Sequence, residues 1–318
     1  MQEFTKQGIV KDIKDNINKV IIGKSEVEDL LLTALLAQGH ILLEDVPGTG
    51  KTMLAKSLAK SIDCEFSRIQ FTPDLLPSDI TGINYYNQQT AEFTFRRGPI
   101  FSNIVLADEI NRATPRTQSA LLECMEEKQV TVDNMTYKLY EPYMVIATEN
   151  PIETAGTYQL PEAQLDRFLL QTSMGYPDKV DEIDIINSRM NAEPIGDLSS
   201  VCKAQDIVDA SLEANAVYVH DAIKTYVVDI VNASRQNENI AIGISPRGTL
   251  SMIRAAKAYA YVMGRNYVIP EDITKLAIPV FAHRLILKRG LLAASRKEEL
   301  LNEIIKNQNV PTENWESK

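Results

Sequence analysis

The run D-V-P-G-T-G-K-T at residues 45–52 constrains the fold of this chain more than any other segment. It follows the residues 40–43, whose apolar character predicts a short buried strand, and it precedes a helix pattern over residues 53–62. A strand, a glycine-rich loop and a helix in this order point backbone N–H groups and a helix N-terminus at one place, which suits a phosphate group. The loop therefore predicts an α/β fold with a phosphate site at the end of a strand.

Each residue type in this loop has a predicted task. Lys51 would reach the β- and γ-phosphates of a nucleotide, and Thr52 would place its hydroxyl on Mg²⁺. Gly48 and Gly50 let the backbone approach a phosphate without Cβ clashes. The strict motif has glycine where this chain has Asp45, so the first position of the loop accepts a side chain. The predicted nucleotide-binding residues here are Pro47, Gly48, Thr49, Gly50, Lys51, Thr52 and Met53.

Two more apolar strand patterns end in polar residues. Residues 104–107 lead into Asp108 and Glu109, and the chemistry of phosphate transfer needs one acid near Mg²⁺ and one near water. Asp108 is the predicted metal-side acid, and Glu109 is the predicted water-side acid. Residues 144–148 lead to Asn150, whose amide could position water against the γ-phosphate. Since Asn-Pro is also an ordinary turn signal, both interpretations of Asn150 stay open.

The order of patterns predicts the fold class. Apolar strands alternate with helices up to residue 177, which is typical of a parallel sheet covered on both faces. Strand–turn–strand signals at residues 85–95 and 129–139 predict two β-hairpins. After residue 177 the pattern is mostly helical. We therefore predict an αβα sandwich of the P-loop NTPase type over residues 1–188, with two inserted hairpins, and an all-α lid domain over residues 189–318.

Composition narrows the classes of function. The 43 acidic and 33 basic residues give a formal net charge of −10, which argues against a nucleic-acid motor or clamp loader. Three scattered cysteines fit reduced thiols, and three distant histidines do not suggest a metal centre. No apolar run approaches the ~18 residues of a membrane helix, and no secretory signal is visible, so a cytoplasmic location is expected.

The three strand ends together resemble those of AAA+ ATPases, and the residues around them resemble the MoxR family. The segment Q-F-T-P-D-L-L-P-S-D-I-T-G at residues 70–82 is a nearly diagnostic match. The chain departs from the family at Glu149, where glutamine is frequent. Further matches in the family's order are residues 21–23, 45–52, 98–101, 108–113, 147–151, 160–168 and 245–247.

The resemblance implies an AAA+ core, a helical lid, use of ATP and Mg²⁺, and a homo-oligomeric ring that is usually a hexamer. It implies that Ile22 and Gly23 pack on adenine. It also implies that Arg167 is an arginine finger for the neighbouring subunit's ATP, and that Arg247 is the lid's sensor 2 arginine. The plain alternatives are an ion pair of Arg167 with Asp166 or a surface acid, and a solvated Arg247. The predicted catalytic set is Lys51, Glu109, Asn150, Arg167 and Arg247.

The function implied by the resemblance is ATP-driven remodelling, assembly or metal insertion for a client protein, which in this family often has a von Willebrand factor A domain. A chelatase-like motor subunit and a nucleotide-dependent scaffold stay open as alternatives. A small-molecule kinase is disfavoured because no second substrate signature is visible. Tyr85, Tyr86 and Phe93 either grip a client or pack within their hairpin. The roles of Arg112 and Arg116 are left open.

Overall fold

The computed structural model describes residues 4–46, 48–150, 156–189, 194–288, 294–312 and 315. The predicted loop residue Pro47 and part of the segment 191–197, which reads as a linker, lie outside the described residues. Up to residue 189 the elements are α1 (Gln7–Ile17), α2 (Ser25–Leu36), β1 (Ile41–Glu44), α3 (Lys51–Ser61), β2 (Phe66–Gln70), α4 (Pro77–Thr81), β3 (Gly82–Asn87), β4 (Glu92–Arg97), β5 (Ile104–Asp108), α5 (Pro115–Glu127), β6 (Gln129–Val132), β7 (Met135–Lys138), β8 (Met144–Glu149), α6 (Glu162–Leu165), β9 (Leu170–Thr172) and α7 (Lys179–Arg189).

A parallel sheet forms the centre of this part, with the strand order β2-β5-β8-β1-β9. Strand β5 is buried along its whole length, and only the last residues of β1 and β8 are partly exposed, which explains their continuous apolar sequences. Because all five strands run the same way, the segments that follow β1, β5 and β8 leave the sheet at one edge. We call this the carboxyl edge and the opposite one the amino edge. The predicted α/β class is confirmed.

The rest of the chain is mainly helical and forms the predicted lid. Ser245 caps the longest of these helices, since its hydroxyl accepts a hydrogen bond from Gly248 N at 3.2 Å. The apolar core runs without a break from the sheet into these helices, so the domain boundary at residue 189 stays a prediction. The elements are α8 (Ala204–Asn215), α9 (Asp221–Gln236), β10 (Ile240–Ile242), α10 (Pro246–Val262), α11 (Pro270–Phe281), β11 (Ile286–Leu287) and α12 (Ala294–Lys306).

Both predicted hairpins are present, as the antiparallel pairs β3–β4 and β6–β7. They lie side by side, because Asn84 Nδ2 donates to Asp133 Oδ2 at 2.6 Å. At their base, the rings of Phe95 and Tyr137 stack with centroids 4.3 Å apart. Within the described ranges, no helix combines the length and apolar character needed to cross a membrane.

The apolar residues between 9 and 22 recur with the period of a helix and predict a helix over that range, whereas in the structure α1 ends at Ile17. The N–H groups of Val20 and Ile21 both turn back to the carbonyl of Ile17, each at 2.9 Å. Gly23 then adopts a left-handed φ of +71° and leads the chain into α2. Residue 22 therefore lies in a connection and not in a helix.

Candidate functional site

The glycine-rich loop follows β1 at the carboxyl edge and opens into α3. Gly48 and Gly50 have φ values of +88° and +96°, which glycine adopts without strain. Lys51 Nζ donates to the carbonyl oxygens of Asp45 at 3.1 Å and Val46 at 3.3 Å. Among the described residues no carboxylate pairs with this ammonium group, so its charge remains available to an anion such as a phosphate.

Asp45 explains why the loop departs from the strict motif. Its side chain is buried, and its carboxylate accepts hydrogen bonds from the backbone N–H groups of Met174 and, at 3.2 Å, Gly175. Lys24 reaches the same stretch, where its Nζ donates to the carbonyls of Gly175 at 3.2 Å and Tyr176 at 3.0 Å. A glycine at residue 45 would leave both N–H groups without this acceptor. The loop is thus tied to the connection between β9 and α7.

The predicted adenine segment lies against the same connection. A methyl group added to Gly23 would stand 1.8 Å from Asp181 Oδ2 at the start of α7, so the Asp181 side chain would have to move, and the φ of +71° favours glycine as well. Ile22 beside it is half-buried. The structure therefore brings the predicted adenine segment and the phosphate loop to one stretch, residues 174–181. The remaining predicted loop residues Thr49, Thr52 and Met53 are half-buried at the loop and the first turn of α3.

The two acids after β5 lie beside the end of β8. Thr148 on β8 donates its hydroxyl proton to Asp108 Oδ1 at 2.7 Å, and its oxygen accepts from Glu109 N at 2.9 Å. Glu109 has a left-handed φ of +56°, which turns its side chain out of the strand direction. Asn150, directly after β8, is buried. The carboxyl edge therefore gathers the loop, both acids and Asn150.

Sequence reasoning missed two side chains on β2 that contact these acids. Arg68 donates to Asp108 Oδ2 through Nε at 3.1 Å and Nη2 at 2.6 Å. Gln70 Nε2 donates to Glu109 Oε2 at 2.7 Å. Arg112, whose role the sequence left open, pairs its Nε with the same Glu109 oxygen at 3.1 Å. The signal that could have found Arg68 and Gln70 is their spacing of two on a strand, which places both on one face.

The two predicted arginines lie elsewhere, at the amino edge. Arg167 Nε lies 3.1 Å from Glu126 Oε2, and Arg247 Nη2 bonds the other oxygen of the same carboxylate. A cavity of about 500 Å³ is lined by both arginines and by Gly39 and His40, which precede β1. Since the loop follows β1, one strand length separates this cavity from the chain's own loop. The structure does not bring Arg167 and Arg247 to the loop of the same chain.

Arg284 joins the lid to the core at the amino edge. Its Nε lies 2.7 Å from Asp166 Oδ1, and its Nη2 donates to Phe168 O at 2.7 Å. Burial lowers the pKa of the Arg284 guanidinium to about 10, and Asp166 opposes that change, so the group stays charged at neutral pH. Asp166 is therefore the partner of Arg284. Arg167, its neighbour, pairs with Glu126 instead.

Glu149 is a half-buried acid in the position where glutamine is expected from the family resemblance. Burial raises the pKa of its carboxyl to about 7, and the neighbouring Glu44, its register partner on β1, adds to this. Its Oε1 has no hydrogen-bond partner among the described residues. Burial also raises the pKa of Glu44. Both carboxyls therefore keep their proton to a higher pH in the folded protein than a carboxyl of ordinary pKa would.

A pH-dependent stability follows from this pair. A carboxyl whose pKa is raised by folding stabilises the folded protein at low pH. This stabilisation is lost as the pH rises from 4.5, the ordinary pKa of a glutamate, to about 7, the pKa of Glu149 in the folded protein. We expect Glu149→Gln to stabilise the protein at pH 8 by on the order of 1–3 kcal/mol and to change little at pH 4.5. Urea unfolding at both pH values measures this, with Glu65→Gln on the exposed surface as control. Equal stability of Glu149→Gln and wild type at pH 8 would contradict the assignment.

The fold and the groups at the carboxyl edge define a P-loop protein of the AAA type. In the sheet, β1 lies between β8 and β9, and β5, the strand that leads into the two acids, lies on the other side of β8. The sequence model of the "ATPase family associated with various cellular activities (AAA)" matches residues 40–170. The model of the "AAA lid domain" matches residues 232–304.

Relatives that match over most of this chain show which family of AAA ATPases it belongs to. YeaC of Bacillus subtilis is 50% identical over 300 residues, covering 94% of each chain. Chaperone MoxR1 of Mycobacterium tuberculosis is 41% identical over 305 residues, covering 93% of this chain and 79% of the relative. A crystal structure of a Cytophaga hutchinsonii protein superposes with a TM-score of 0.89 at 39% identity, covering 96% of both chains. The chain belongs to the MoxR family of AAA ATPases.

Proposed function

We propose that this protein hydrolyses ATP at sites shared between neighbouring subunits of a ring and uses the cycle to remodel a client protein. The family resemblance makes a hexamer the expected ring. One observation carries the proposal. Arg167 and Arg247 share Glu126 at the amino edge, whereas the phosphate loop lies at the carboxyl edge. A site that needs both features is complete only when the carboxyl edge of one chain meets the amino edge of another.

The loop side of this site would bind the nucleotide. Backbone N–H groups of residues 48–52 and the start of α3 would hold the phosphates, with Lys51 moving from its two carbonyl partners to the β- and γ-phosphates. Ile22 and Gly23 would pack on adenine. Thr52 and Asp108 would hold Mg²⁺. The oxygen donors suit this hard cation, and Asp108 already has a cationic partner in Arg68.

The chemistry would be performed by groups from both chains. Glu109 would orient and deprotonate the attacking water, with Asn150 as a second contact to that water or the γ-phosphate. Bound Mg²⁺ would neutralise part of the phosphate charge. Arg167 and Arg247 of the neighbouring chain would stabilise the charge that grows on the phosphate oxygens, and an arginine in this role contributes about 10³–10⁵ in rate.

The hairpins would supply the contact with the client. At the far end of β3–β4, Tyr86 and Phe93 pack edge to face, with ring centroids 5.4 Å apart, and are 52% and 75% exposed. Exposed aromatic pairs of this kind are common anchors in protein interfaces. Tyr85 on the opposite face is 42% exposed. The family resemblance extends the proposal to a client with a von Willebrand factor A domain and to assembly or metal insertion, in the cytoplasm.

The dependence of hydrolysis on protein concentration tests this proposal. If the site forms between chains, the turnover per chain should rise with concentration and level off when the ring is assembled. Malachite-green phosphate release at protein concentrations from nanomolar to micromolar, with sedimentation velocity on the same samples, measures both quantities. The proposal predicts that turnover and assembly rise together. Turnover per chain that is constant while the protein passes from monomer to ring would contradict a shared site.

A further inference from the structure

Helix α7, which follows the carboxyl edge, has an apolar face that is largely open to solvent. Val180, Ile183 and Ile186 are spaced three residues apart and lie on one side of the helix, where they are 67%, 49% and 55% exposed. None of the α7 side chains that the structure describes, over residues 179–188, is buried. A helix of 11 residues is marginally stable in water without a packing partner, so we expect a further surface to cover this face.

The start of α7 is held close to the phosphate loop. Asp45, at the beginning of that loop, accepts a hydrogen bond from Met174 N in the connection before α7. Asp178 then caps the helix, since its Oδ1 accepts from the N–H groups of Val180 at 2.8 Å and Asp181 at 2.9 Å. The apolar face therefore begins beside the proposed ATP site, on the side of the molecule where a neighbouring chain is proposed to bind.

The charged residues around the apolar face of α7 are mainly acidic. Between residues 178 and 188 the chain has four acids and one lysine. Glu182 and Asp184 are both exposed and stand on the two sides of Ile183. A surface that complements this face would combine exposed apolar side chains with positive charge.

The amino edge has such a surface, formed by α8 and α10. Arg247, Leu250 and Arg254 follow the helical repeat and lie on one side of α10. Leu250 is 67% exposed, and Leu212 of α8, which lines the amino-edge cavity, is 64% exposed. Eight charged residues line that cavity, of which two are acids and the six basic ones are Lys128, Arg167, Arg247, Arg254, Lys257 and Arg284.

Two of these cations have no acidic partner in the part of the chain that the structure describes. Arg254 Nη2 donates to Ala37 O at 2.9 Å, and Lys257 Nζ donates to Asn215 O at 2.6 Å. Both acceptors are carbonyls at the C-terminal ends of helices, which favour a nearby cation without neutralising its charge. The two charges are therefore able to attract acids of another molecule.

We propose that α7 of one chain docks on α8 and α10 of the next, with Val180, Ile183 and Ile186 against Leu212 and Leu250 of the neighbouring chain. The acids beside the α7 face then meet the positive charges of the amino edge. Because the two surfaces differ, each chain has one of each kind, and repetition of the contact closes a ring. The inference rests on the proposed function, which brings these two edges together, and it names the surfaces that join them.

A charge placed in either surface should prevent assembly. We expect Ile183→Asp to raise the protein concentration at half-assembly by at least about 30-fold, because a carboxylate would be enclosed in an apolar contact. Leu250→Asp should do the same from the other surface. Val228→Asp, at an exposed apolar residue of α9, is the matched control and should assemble like wild type. Sedimentation velocity measures assembly, and thermal unfolding followed by circular dichroism shows that each variant is folded.

An equimolar mixture of the two variants gives a result that is specific to this contact. Ile183→Asp keeps an intact amino edge, and Leu250→Asp keeps an intact α7, so the mixture can form one undamaged junction. We expect dimers and nothing larger from the mixture, whereas each variant alone stays monomeric. The double variant Ile183→Asp/Leu250→Asp should form no dimer with either single variant.

The inference would be overturned by assembly of either single variant like wild type, by a mixture that stays monomeric, or by a wild type that never assembles. Contact between two α7 helices would appear as assembly lost in Ile183→Asp and kept in Leu250→Asp. Cover by another segment of the same chain would appear as a lower unfolding temperature of Ile183→Asp with unchanged assembly. Both of these results also overturn it. Val180→Asp replaces Ile183→Asp if that variant does not fold.

Failure of the proposed function is recognised by a different measurement. In that case the wild type would assemble and the mixture would form dimers as expected, but ATP turnover by the assembled wild type would be no higher than that of Lys51→Ala. If the docking surfaces are wrong and the proposed function holds, wild type exceeds Lys51→Ala in turnover while Ile183→Asp and Leu250→Asp still assemble.

Discussion

Glu109→Gln is expected to lower ATP hydrolysis by about 100-fold or more while nucleotide binding is retained. The amide keeps the size of the side chain and cannot accept the proton of the attacking water. Binding is preserved because the loop, Lys51 and Thr52 are untouched by the change. Phosphate release and equilibrium binding of a fluorescent ADP analogue measure the two quantities on one sample.

The matched control for this variant is Glu123→Gln, an exposed acid on α5, which should hydrolyse ATP at the wild-type rate. Glu109→Gln that hydrolyses ATP within about 3-fold of wild type would show that another group activates the water. Loss of ADP binding together with hydrolysis would instead indicate that Glu109 holds the loop in shape.

Arg167→Ala is expected to lower hydrolysis by about 10³-fold with ADP affinity unchanged. Its own loop remains complete, because Arg167 lies at the amino edge beside Glu126. Arg167→Lys should recover little of the lost rate, since a single ammonium cannot replace the planar fork of donors. The exposed Arg96→Ala serves as a charge-matched control. Hydrolysis by Arg167→Ala at the wild-type rate would show that this arginine has no catalytic contact.

The sequence predicted the features that are written in consecutive residues. The apolar periodicity of α5 and α9 predicts residues 115–127 and 221–236, and the structure has the same bounds. The loop, the acids after β5 and Asn150 were found because each follows a buried strand directly. Parallel strands then bring these strand ends together, which is a general property of the sheet.

What the sequence left out depends on contacts between distant segments. The short elements α4, α6 and β9 have too few residues for a periodic pattern. The contacts of Arg68 and Gln70 with Asp108 and Glu109 depend on the register of β2 against β5, which the spacing of the two residues along β2 does not give. The place of Arg247 at the amino edge depends on how the lid docks, and the buried contacts of Arg284 set that docking.

The central claim is that each ATP site is built from two chains, and a mixing experiment tests it most directly. Glu109→Gln supplies a working Arg167 but an inactive loop side, and Arg167→Ala supplies the reverse. Each variant alone should be nearly inactive. Hydrolysis that returns when the two are mixed and allowed to exchange subunits, as followed by energy transfer between labelled chains, is the predicted result. A mixture that exchanges subunits fully and stays as inactive as its parts would contradict the claim.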